Sequence, residues 1–287
     1  MDSNLVRRVG FAAVAIPLAL LLVWFGGLPL ALLLATAGAL GTRELFGLAQ
    51  RRQVRPAVSL GVLSSAAIAP VTWAALSTGR GPALAAVAPY AVALWLIVLL
   101  SWALAARSPA ERPLEAAGVT WLAVAYAGAL PAFVLLIRHG QHPPRSWAGA
   151  WLVFFPLVVT WVCDTAAMFG GRTFGGPKLA PIVSPGKTRS GTAAGIIGGL
   201  LVAPVFGRWV FPAVGVELAG WQLLAIAGVL SVVGQVGDLA ESLFKREAGV
   251  KDSSNLIPGH GGVLDRLDSL YFVVPVAAAM YHAFGVI

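Results

Sequence analysis

The sequence predicts an all-α protein that crosses a membrane several times, and three observations carry that prediction. Of the 287 residues, 58% are hydrophobic and only 11% are charged, whereas soluble domains carry about 25% charged residues. The mean hydropathy is +0.83, and apolar runs of about 20 residues, the length that crosses a bilayer as a helix, recur along the chain. The ionisable residues concentrate between these runs, as in integral membrane proteins.

The apolar runs predict about nine membrane spans. The second run is short, and Gly26, Gly27 and Pro29 before it predict a tight turn between the first two helices. The predicted spans are 9–25, 29–42, 57–77, 83–106, 115–137, 147–169, 191–212, 219–245 and 269–286. Five of them form an N-terminal scaffold over 1–146, and four, with loops at 170–190 and 246–268, form a C-terminal catalytic region over 147–287.

The basic residues predict the orientation of these spans. If the N-terminus and every second loop share one face of the membrane, that face carries 16 of the 20 Lys and Arg residues, and the other face carries Arg80, Arg138, Arg145 and Arg208. Basic residues collect on the cytoplasmic side, so the N-terminus and the loops 170–190 and 246–268 are expected there. This distribution explains the net charge of +8 without nucleic acid. The single cysteine, Cys163, excludes an internal disulfide and is expected to be a small core residue.

A first group of candidate site residues closes the sixth span. Asp164 interrupts an apolar run, where a carboxylate is costly unless it is paired, protonated or bound to a metal. The loop that follows is rich in glycine and in groups that suit phosphate oxygens, namely Arg172, Lys178, Ser184, Lys187 and Thr188. SPGKT within it lacks the first glycine of a Walker loop. A helix-packing role for Asp164, and a plain cytoplasmic loop rich in basic residues, are the alternatives.

A second group lies along the eighth span. Gln235, Asp238, Ser242 and Lys245 are spaced by three, four and three residues, so they fall on one face of an otherwise apolar helix. Such a polar stripe faces the protein interior or a wet cavity rather than lipid. A purely structural Asp238–Lys245 pair or an interhelical pair is the alternative.

A third group begins the ninth span, where Asp265 and Asp268 are three residues apart and are expected to share a helix face. Capping of a helix N-terminus explains one such carboxylate. Two of them, with Asp238 as a third, favour a hard divalent cation between them, because unscreened carboxylates repel one another. His260, which lies among glycines, is expected to contact phosphate or backbone rather than metal, since a hard metal prefers oxygen.

The stretch SLFKREAGVKDSSNLIPGHGGVLDRLD, from Ser242 to Asp268, resembles the signature of the phosphatidate cytidylyltransferase (CDP-diacylglycerol synthase) family. The loop after Asp164 resembles the family's second conserved stretch, except that the family usually has Lys where Gly186 stands and Glu where Ser190 stands. The resemblance covers about Trp161 to Leu270. It implies an enzyme that transfers CMP from CTP to phosphatidic acid, giving CDP-diacylglycerol and pyrophosphate. It further implies a bacterial-type plasma membrane, a homodimer, Mg²⁺ and room for a second, monovalent cation.

These patterns assign a role to each candidate residue in a direct displacement without a covalent enzyme intermediate. The metal ligands are expected to be Asp164, Asp238, Asp265 and Asp268. The phosphate contacts are expected to be Arg172, Lys178, Lys187, Lys245, Arg246, Lys251 and Arg266. The residues that orient substrate are expected to be Ser184, Thr188, Ser242, Asp252 and His260.

Two other functions remain open at the level of sequence. One is a nucleotidyl- or phosphotransferase that acts on another lipid, such as an isoprenoid-ether phosphate or a polyprenol, because the lipid tail meets only generic apolar walls. The other is a transporter of an anionic solute. A transporter would place charges near the bilayer midplane on broken helices, often in repeated halves. Here the charges cluster at one face, and no internal repeat is evident.

Overall fold

The predicted fold class is confirmed by a computed structural model, which describes residues 3–287 except 258 and 260, with side chains described from residue 13 onward. Within these residues seven helices are long and apolar enough to cross a membrane. The helices are α1 (Ser3–Phe25), α2 (Gly27–Arg51), α3 (Val58–Ser77), α4 (Gly81–Ala106), α5 (Pro113–Ala123), α6 (Leu130–His139), α7 (Trp147–Phe174), α8 (Arg189–Val205), α9 (Gly220–Glu247), α10 (Leu264–Leu267) and α11 (Leu270–Ala283).

The seven long spans correspond to the second to eighth predicted spans. Two of them contain a π-helical turn. α5 continues through a π-helical turn, Val124–Ala129, into α6, and α8 continues through another, Phe206–Val210. Pro204, just before the second π turn, lacks the N–H that a regular helix would use. The described apolar part of α1, Ala13–Phe25, and the 14-residue α11 are shorter than a full span, so the count of nine stays a prediction.

The predicted turn between the first two helices lies where it was expected. Gly26 and Gly27 have φ angles of 63° and 61°, a backbone region that L-residues with a side chain rarely adopt. α2 begins there and runs to Arg51, nine residues past the predicted end of the second span. The apolar pattern stopped at 42 because Arg43 and Glu44 follow it, but the helix itself continues.

The loop after α7 contains a small β-hairpin that the sequence did not predict. β1 (Lys178–Ala180) pairs antiparallel with β2 (Ser184–Thr188), and Lys178 lies opposite Thr188. Thr188 then caps α8, because its Oγ1 accepts a hydrogen bond from Gly191 N–H at 3.1 Å. The hairpin therefore leads directly into a membrane helix.

The chain divides into two compact units. The first contains Met1–Leu135 and Glu247–Arg266, and the second contains Leu136–Arg246 and Leu267–Ile287. The segment 247–266, which the sequence analysis grouped with the C-terminal catalytic region, thus returns to the unit that contains α1 to α5.

In the first unit, small and hydroxylated residues let α2 and α3 approach closely. A Cβ at Gly61 of α3 would lie 2.5 Å from the ring of Phe46 of α2, so the glycine makes room for that ring. Thr42 Oγ1 and Ser65 Oγ form a buried hydrogen bond of 2.7 Å. Close backbone approach with interhelical hydroxyl bonds is how helices associate in lipid, where apolar burial gives little driving force.

In the second unit, glycines serve the same purpose between α7, α8, α9 and α11. A Cβ at Gly195 of α8 would lie 3.0 Å from Cys163 O of α7, and a Cβ at Gly237 of α9 would lie 2.9 Å from Asp268 O. Cys163 is 2% exposed, as expected of a core residue. The close approach at Gly237 brings the residues just before α11 next to α9.

Candidate active site

The polar stripe predicted on the eighth span lies on the last four turns of α9. Gln235, Ser242 and Lys245 are buried, and Asp238 is half-buried. Ser242 Oγ donates a hydrogen bond to Asp238 Oδ1 at 3.3 Å. Lys245 Nζ lies 3.1 Å from Oε1 of Glu241, a carboxylate that is 1% exposed. The stripe therefore presents a carboxylate oriented by a hydroxyl, and an ammonium oriented by a second carboxylate.

The β-hairpin places Lys187 against this stripe. Lys187 Nζ and Asp238 Oδ2 form an ion pair of 2.7 Å, with about a quarter of each side chain exposed. The base of the hairpin is fixed because Ser190 Oγ donates to Gly175 O and Arg189 N–H donates to Pro177 O. At its tip, Arg246 Nε at the end of α9 donates to Val183 O at 3.1 Å. These bonds hold Lys187 in place from both ends of the hairpin.

Three carboxylates of the second unit act on one another electrostatically, and we call them the acidic cluster: Asp164 of α7, Asp238 of α9 and Asp268. Asp268 lies before α11, outside the membrane-spanning helices. Burial, and after it the nearby Asp238 carboxylate, raise the pKa of Asp268 from 3.8 to about 6. The Ser269 N–H, which donates to Asp268 Oδ1 at 2.6 Å, and the ammonium groups of Lys245 and Lys187 oppose that rise.

The acidic cluster offers carboxylate oxygens, the ligand type that Mg²⁺ takes in proteins. In the part of the chain that the structure describes, no three His, Cys, Asp or Glu residues form a compact metal-ligating group. Mg²⁺ is commonly held by one or two carboxylates together with substrate phosphates rather than by a full protein cage. Asp238 and Asp268 supply such oxygens, and repulsion between these two carboxylates contributes to the raised pKa of Asp268 after burial.

The other predicted carboxylate, Asp265, has a different setting, in the first unit. Its Oδ2 accepts hydrogen bonds from Ser253 N–H, Ser253 Oγ and Gly262 N–H, each at 2.8 Å. The expectation that Asp265 and Asp268 share a helix face is wrong, because α10 ends at Leu267 and α11 begins only at Leu270. Asp268 lies in the turn between them. The assignment of Asp265 to the metal stays a prediction.

The predicted substrate contacts divide between the two units. The second unit brings Lys187, Ser242 and Lys245 to the acidic cluster, while Thr188 caps α8. Also in that unit, Arg172 is exposed in the last turn of α7, Lys178 is exposed on β1, and Ser184 begins β2. The first unit carries Lys251, Asp252 and Arg266, all exposed. His260 lies outside the described residues.

Two buried glutamates were missed by the sequence analysis. Glu241 has a signal that could have found it, because it precedes Lys245 by four residues on the same helix. Glu44 is 7% exposed, and its carboxylate accepts hydrogen bonds from the 253–264 segment, more than 200 residues away in sequence. Its only sequence signal is a charge immediately after an apolar run.

The chain is similar in sequence to known proteins over its whole length. A sequence model of the Cytidylyltransferase family matches residues 6–284. The phosphatidate cytidylyltransferase of Brucella suis biovar 1 (strain 1330) is 37% identical over 289 residues, which cover 99% of this chain and 94% of that protein. That of Haemophilus influenzae is 38% identical over 198 residues, covering 67% and 66%. That of Staphylococcus saprophyticus is 47% identical over 128 residues, covering 45% and 48%. The similarity thus extends beyond the C-terminal half to which the motifs had confined it.

Proposed function

The chain belongs to the cytidylyltransferase family, and on that premise we propose that it transfers CMP from CTP to phosphatidic acid, producing CDP-diacylglycerol and pyrophosphate. The observation that carries this proposal is the full-length similarity to proteins named phosphatidate cytidylyltransferase. The structure is compatible with it in one specific respect. The acidic cluster and the ammonium groups of Lys187 and Lys245 lie together at the end of a membrane helix.

The reaction must overcome the repulsion between two polyanionic substrates, and it requires little proton transfer. A phosphate monoester has a second pKa of about 6, so the phosphate of phosphatidic acid is largely dianionic at neutral pH and needs no general base. One of its oxygens attacks the α-phosphorus of CTP, and the bond to the bridging oxygen of the leaving pyrophosphate breaks. Lys187 and Lys245 offset the repulsion between the two polyanions and stabilise the charge that develops on the leaving group.

The residues around these ammonium groups have positioning roles. Glu241 holds Lys245 at 3.1 Å, and the hairpin holds Lys187 at the acidic cluster. Ser242 donates to Asp238 Oδ1, so it orients a carboxylate instead of acting as a nucleophile. Arg246 secures the tip of the hairpin through Val183 O. None of these contacts requires a covalent enzyme intermediate.

We further propose that the cofactor is Mg²⁺, held by Asp238 and Asp268 with Asp164 nearby. When bound, the ion would neutralise phosphate charge and align the α-phosphate for attack. The donor set supports this assignment, because carboxylate oxygens are the protein ligands that Mg²⁺ prefers. A second, monovalent cation is a further expectation that rests only on the family resemblance.

The orientation and the assembly are also proposals. The 16-to-4 distribution of basic residues supports an active site at the cytoplasmic face of a bacterial plasma membrane. The family resemblance implies a homodimer. α4 is compatible with a lipid or subunit contact, because large apolar side chains such as Leu94, Ile97 and Leu104 are exposed on it.

The lipid acceptor is tested with purified protein, CTP labelled in the cytosine ring and three lipids offered separately: phosphatidic acid, a polyprenyl phosphate and an isoprenoid-ether phosphate. We expect Mg²⁺-dependent formation of a labelled liponucleotide with phosphatidic acid, and at least about tenfold less with the other two lipids. A preference for a polyprenyl or ether lipid would replace phosphatidic acid as the substrate. Labelled lipid in none of the three reactions would overturn the proposed function.

A further inference from the structure

We infer that Glu44 is a positioning residue that fixes the 253–264 segment, which we call the anchored loop, in the shape the reaction requires. Glu44 lies on α2 and is 7% exposed. Both Glu44 and the anchored loop belong to the first compact unit. The inference rests on the proposed function, because the residues flanking and within this loop are predicted substrate contacts, including Lys251, Asp252 and Arg266.

All acceptor sites of the Glu44 carboxylate are directed at the anchored loop. Oε1 accepts from Ser254 Oγ at 2.7 Å and from Val263 N–H at 2.9 Å. Oε2 accepts from Leu264 N–H at 2.8 Å and from Ser253 Oγ at 3.0 Å. A carboxylate has about four lone-pair sites. Three of them are filled by Ser254, Val263 and Leu264, and the fourth shares the single Ser253 hydroxyl hydrogen with Asp265 Oδ2. The two backbone N–H groups lie where α10 begins and have no partner within that helix.

Charge and burial make this contact strong. Hydrogen bonds to an ionised acceptor are roughly twice as strong as neutral ones. A buried carboxylate without partners is costly, so the loop and Glu44 each stabilise the other in one arrangement. Away from these contacts the chain is exposed, at Asn255 and Leu256 within the loop and at Lys251 and Asp252 just before it. The Glu44 contact is therefore a main determinant of where the loop lies.

Gly262 gives independent support for a built contact. A Cβ on Gly262 would collide with Ser253 Oγ and with Oε2 of Glu44. Its N–H donates to Asp265 Oδ2 at 2.8 Å, so the glycine lies between two carboxylates that grip the same loop. The absence of a side chain there is what allows Glu44 to approach the backbone. Glu44, Gly262 and Asp265 thus form one set of contacts, in which the single Ser253 hydroxyl hydrogen is shared between the two carboxylates.

The mechanism predicts a defect in both kinetic parameters. A displaced loop moves predicted phosphate contacts, and a misplacement of about 1 Å can reduce turnover by about 100-fold. If Glu44 only stabilised the fold, its loss would reduce the amount of active enzyme, which lowers the apparent kcat and leaves KM unchanged. If Glu44 positions the loop, kcat falls and the KM for CTP or phosphatidic acid rises in the protein that remains folded.

The experiment compares full-length wild type with Glu44→Gln, Gly262→Ala and the double variant, and with Glu115→Gln as a matched control. Gln is close to isosteric with Glu but turns an NH₂ group toward two of the four donors. Glu115 is an exposed carboxylate of the same unit, paired with Arg112. Hydrogen–deuterium exchange is measured for peptides covering 253–265 and, as a reference, α3 and α5. Steady-state kinetics are measured for both substrates.

We expect Glu44→Gln and Gly262→Ala each to accelerate amide exchange in 253–265 by about tenfold or more, with α3 and α5 unchanged. Each should lower kcat by about 100-fold and raise at least one KM. The double variant should show the same exchange rate, kcat and KM as the more affected single variant, because both substitutions disrupt the same set of contacts. Glu115→Gln should match the wild type.

Three results would overturn the inference. The first is wild-type exchange in 253–265 for Glu44→Gln. The second is faster exchange there with unchanged kcat and KM. The third is faster exchange throughout the unit with an unchanged KM, which would make Glu44 merely structural. If Glu44→Gln does not fold, Ser254→Ala, which removes one of the four bonds, must show a smaller change of the same kind. A wild type without transferase activity would overturn the proposed function, and the exchange data would still decide whether Glu44 fixes the loop.

Discussion

Replacement of Asp268 by Asn should stabilise the cation-free protein while it lowers turnover. The pKa of Asp268 is raised from its ordinary value of 3.8 to about 6, chiefly by burial and then by the Asp238 carboxylate. The folded protein therefore binds this proton more tightly than the unfolded chain does. The associated destabilisation is absent below pH 3.8, grows as the pH rises toward 6, and is complete above that.

The magnitude follows from the size of that change in pKa. One pH unit corresponds to about 1.36 kcal/mol, so the ionised Asp268 lowers the free energy of unfolding by up to about 3 kcal/mol above pH 6. Asn removes the charge but keeps an Oδ1 that can accept the Ser269 N–H. At pH 8 without metal, the Tm of Asp268→Asn should therefore exceed that of the wild type by roughly 5 °C or more. At pH 4 the two proteins should have the same Tm.

The matched variant is Asp265→Asn, which should lower the stability of the cation-free protein. Asp265 Oδ2 accepts three hydrogen bonds, and the loss of charge-assisted bonds lowers stability by about 1.5–3 kcal/mol each. The assay is detergent-purified protein, melted with and without Mg²⁺ at both pH values, together with CTP turnover. Turnover of Asp268→Asn should fall by at least about 100-fold, and its Mg²⁺-dependent rise in Tm should shrink. Wild-type turnover of Asp268→Asn, or a Tm below that of the wild type at pH 8 without metal, would contradict this prediction.

Three further predictions follow from the site. Ser242→Ala should reduce turnover but leave measurable activity, because a positioning hydrogen bond contributes a few kcal/mol at most. Recovery of a nucleotidylated or phosphorylated enzyme after denaturation with labelled CTP would contradict the direct displacement. Turnover should fall as the pH drops below about 6, where Asp268 binds a proton. A higher Mg²⁺ concentration should move the midpoint of this fall to lower pH. A midpoint that does not respond to Mg²⁺ would show that Asp268 is not a metal ligand. Single cysteines introduced at Gly186 and Asn255, in a Cys163→Ala background, should not react with a membrane-impermeant thiol reagent in intact cells, and labelling of either would reverse the proposed orientation.

Local patterns in the sequence predicted the features that depend on neighbours along the chain. The apolar runs predicted the long helices, because each span must satisfy its own backbone hydrogen bonds in lipid. The three-and-four spacing of Asp238, Ser242 and Lys245 predicted a shared helix face, and Ser242 indeed bonds to Asp238 on α9. The pairing of Lys187 with Asp238 was not predicted, although both were candidate residues.

The features that local patterns could not predict arise from contacts between distant segments. Glu44 bonds Val263 across 219 residues, and no periodicity in either segment indicates such a contact. Asp265 and Asp268 look equivalent in sequence, but a break in the helix separates them and gives them different partners. The sequence analysis did not predict the hairpin, because SPGKT lies in a loop rich in glycine and proline. Its pairing with Lys178–Ala180 is seen only in the structure.

If a nucleotidyl group moves from CTP to phosphatidic acid, the α- and γ-phosphates of CTP must end in different products, and two labels follow them. Purified protein is incubated with phosphatidic acid, Mg²⁺ and CTP labelled at either the α- or the γ-phosphate. We expect the α-label to enter the lipid fraction and the γ-label to be released as pyrophosphate in equal amount. Both processes should slow by at least about 100-fold in Asp268→Asn. Transfer of the γ-label to lipid, or release of pyrophosphate without labelled lipid, would contradict nucleotidyl transfer.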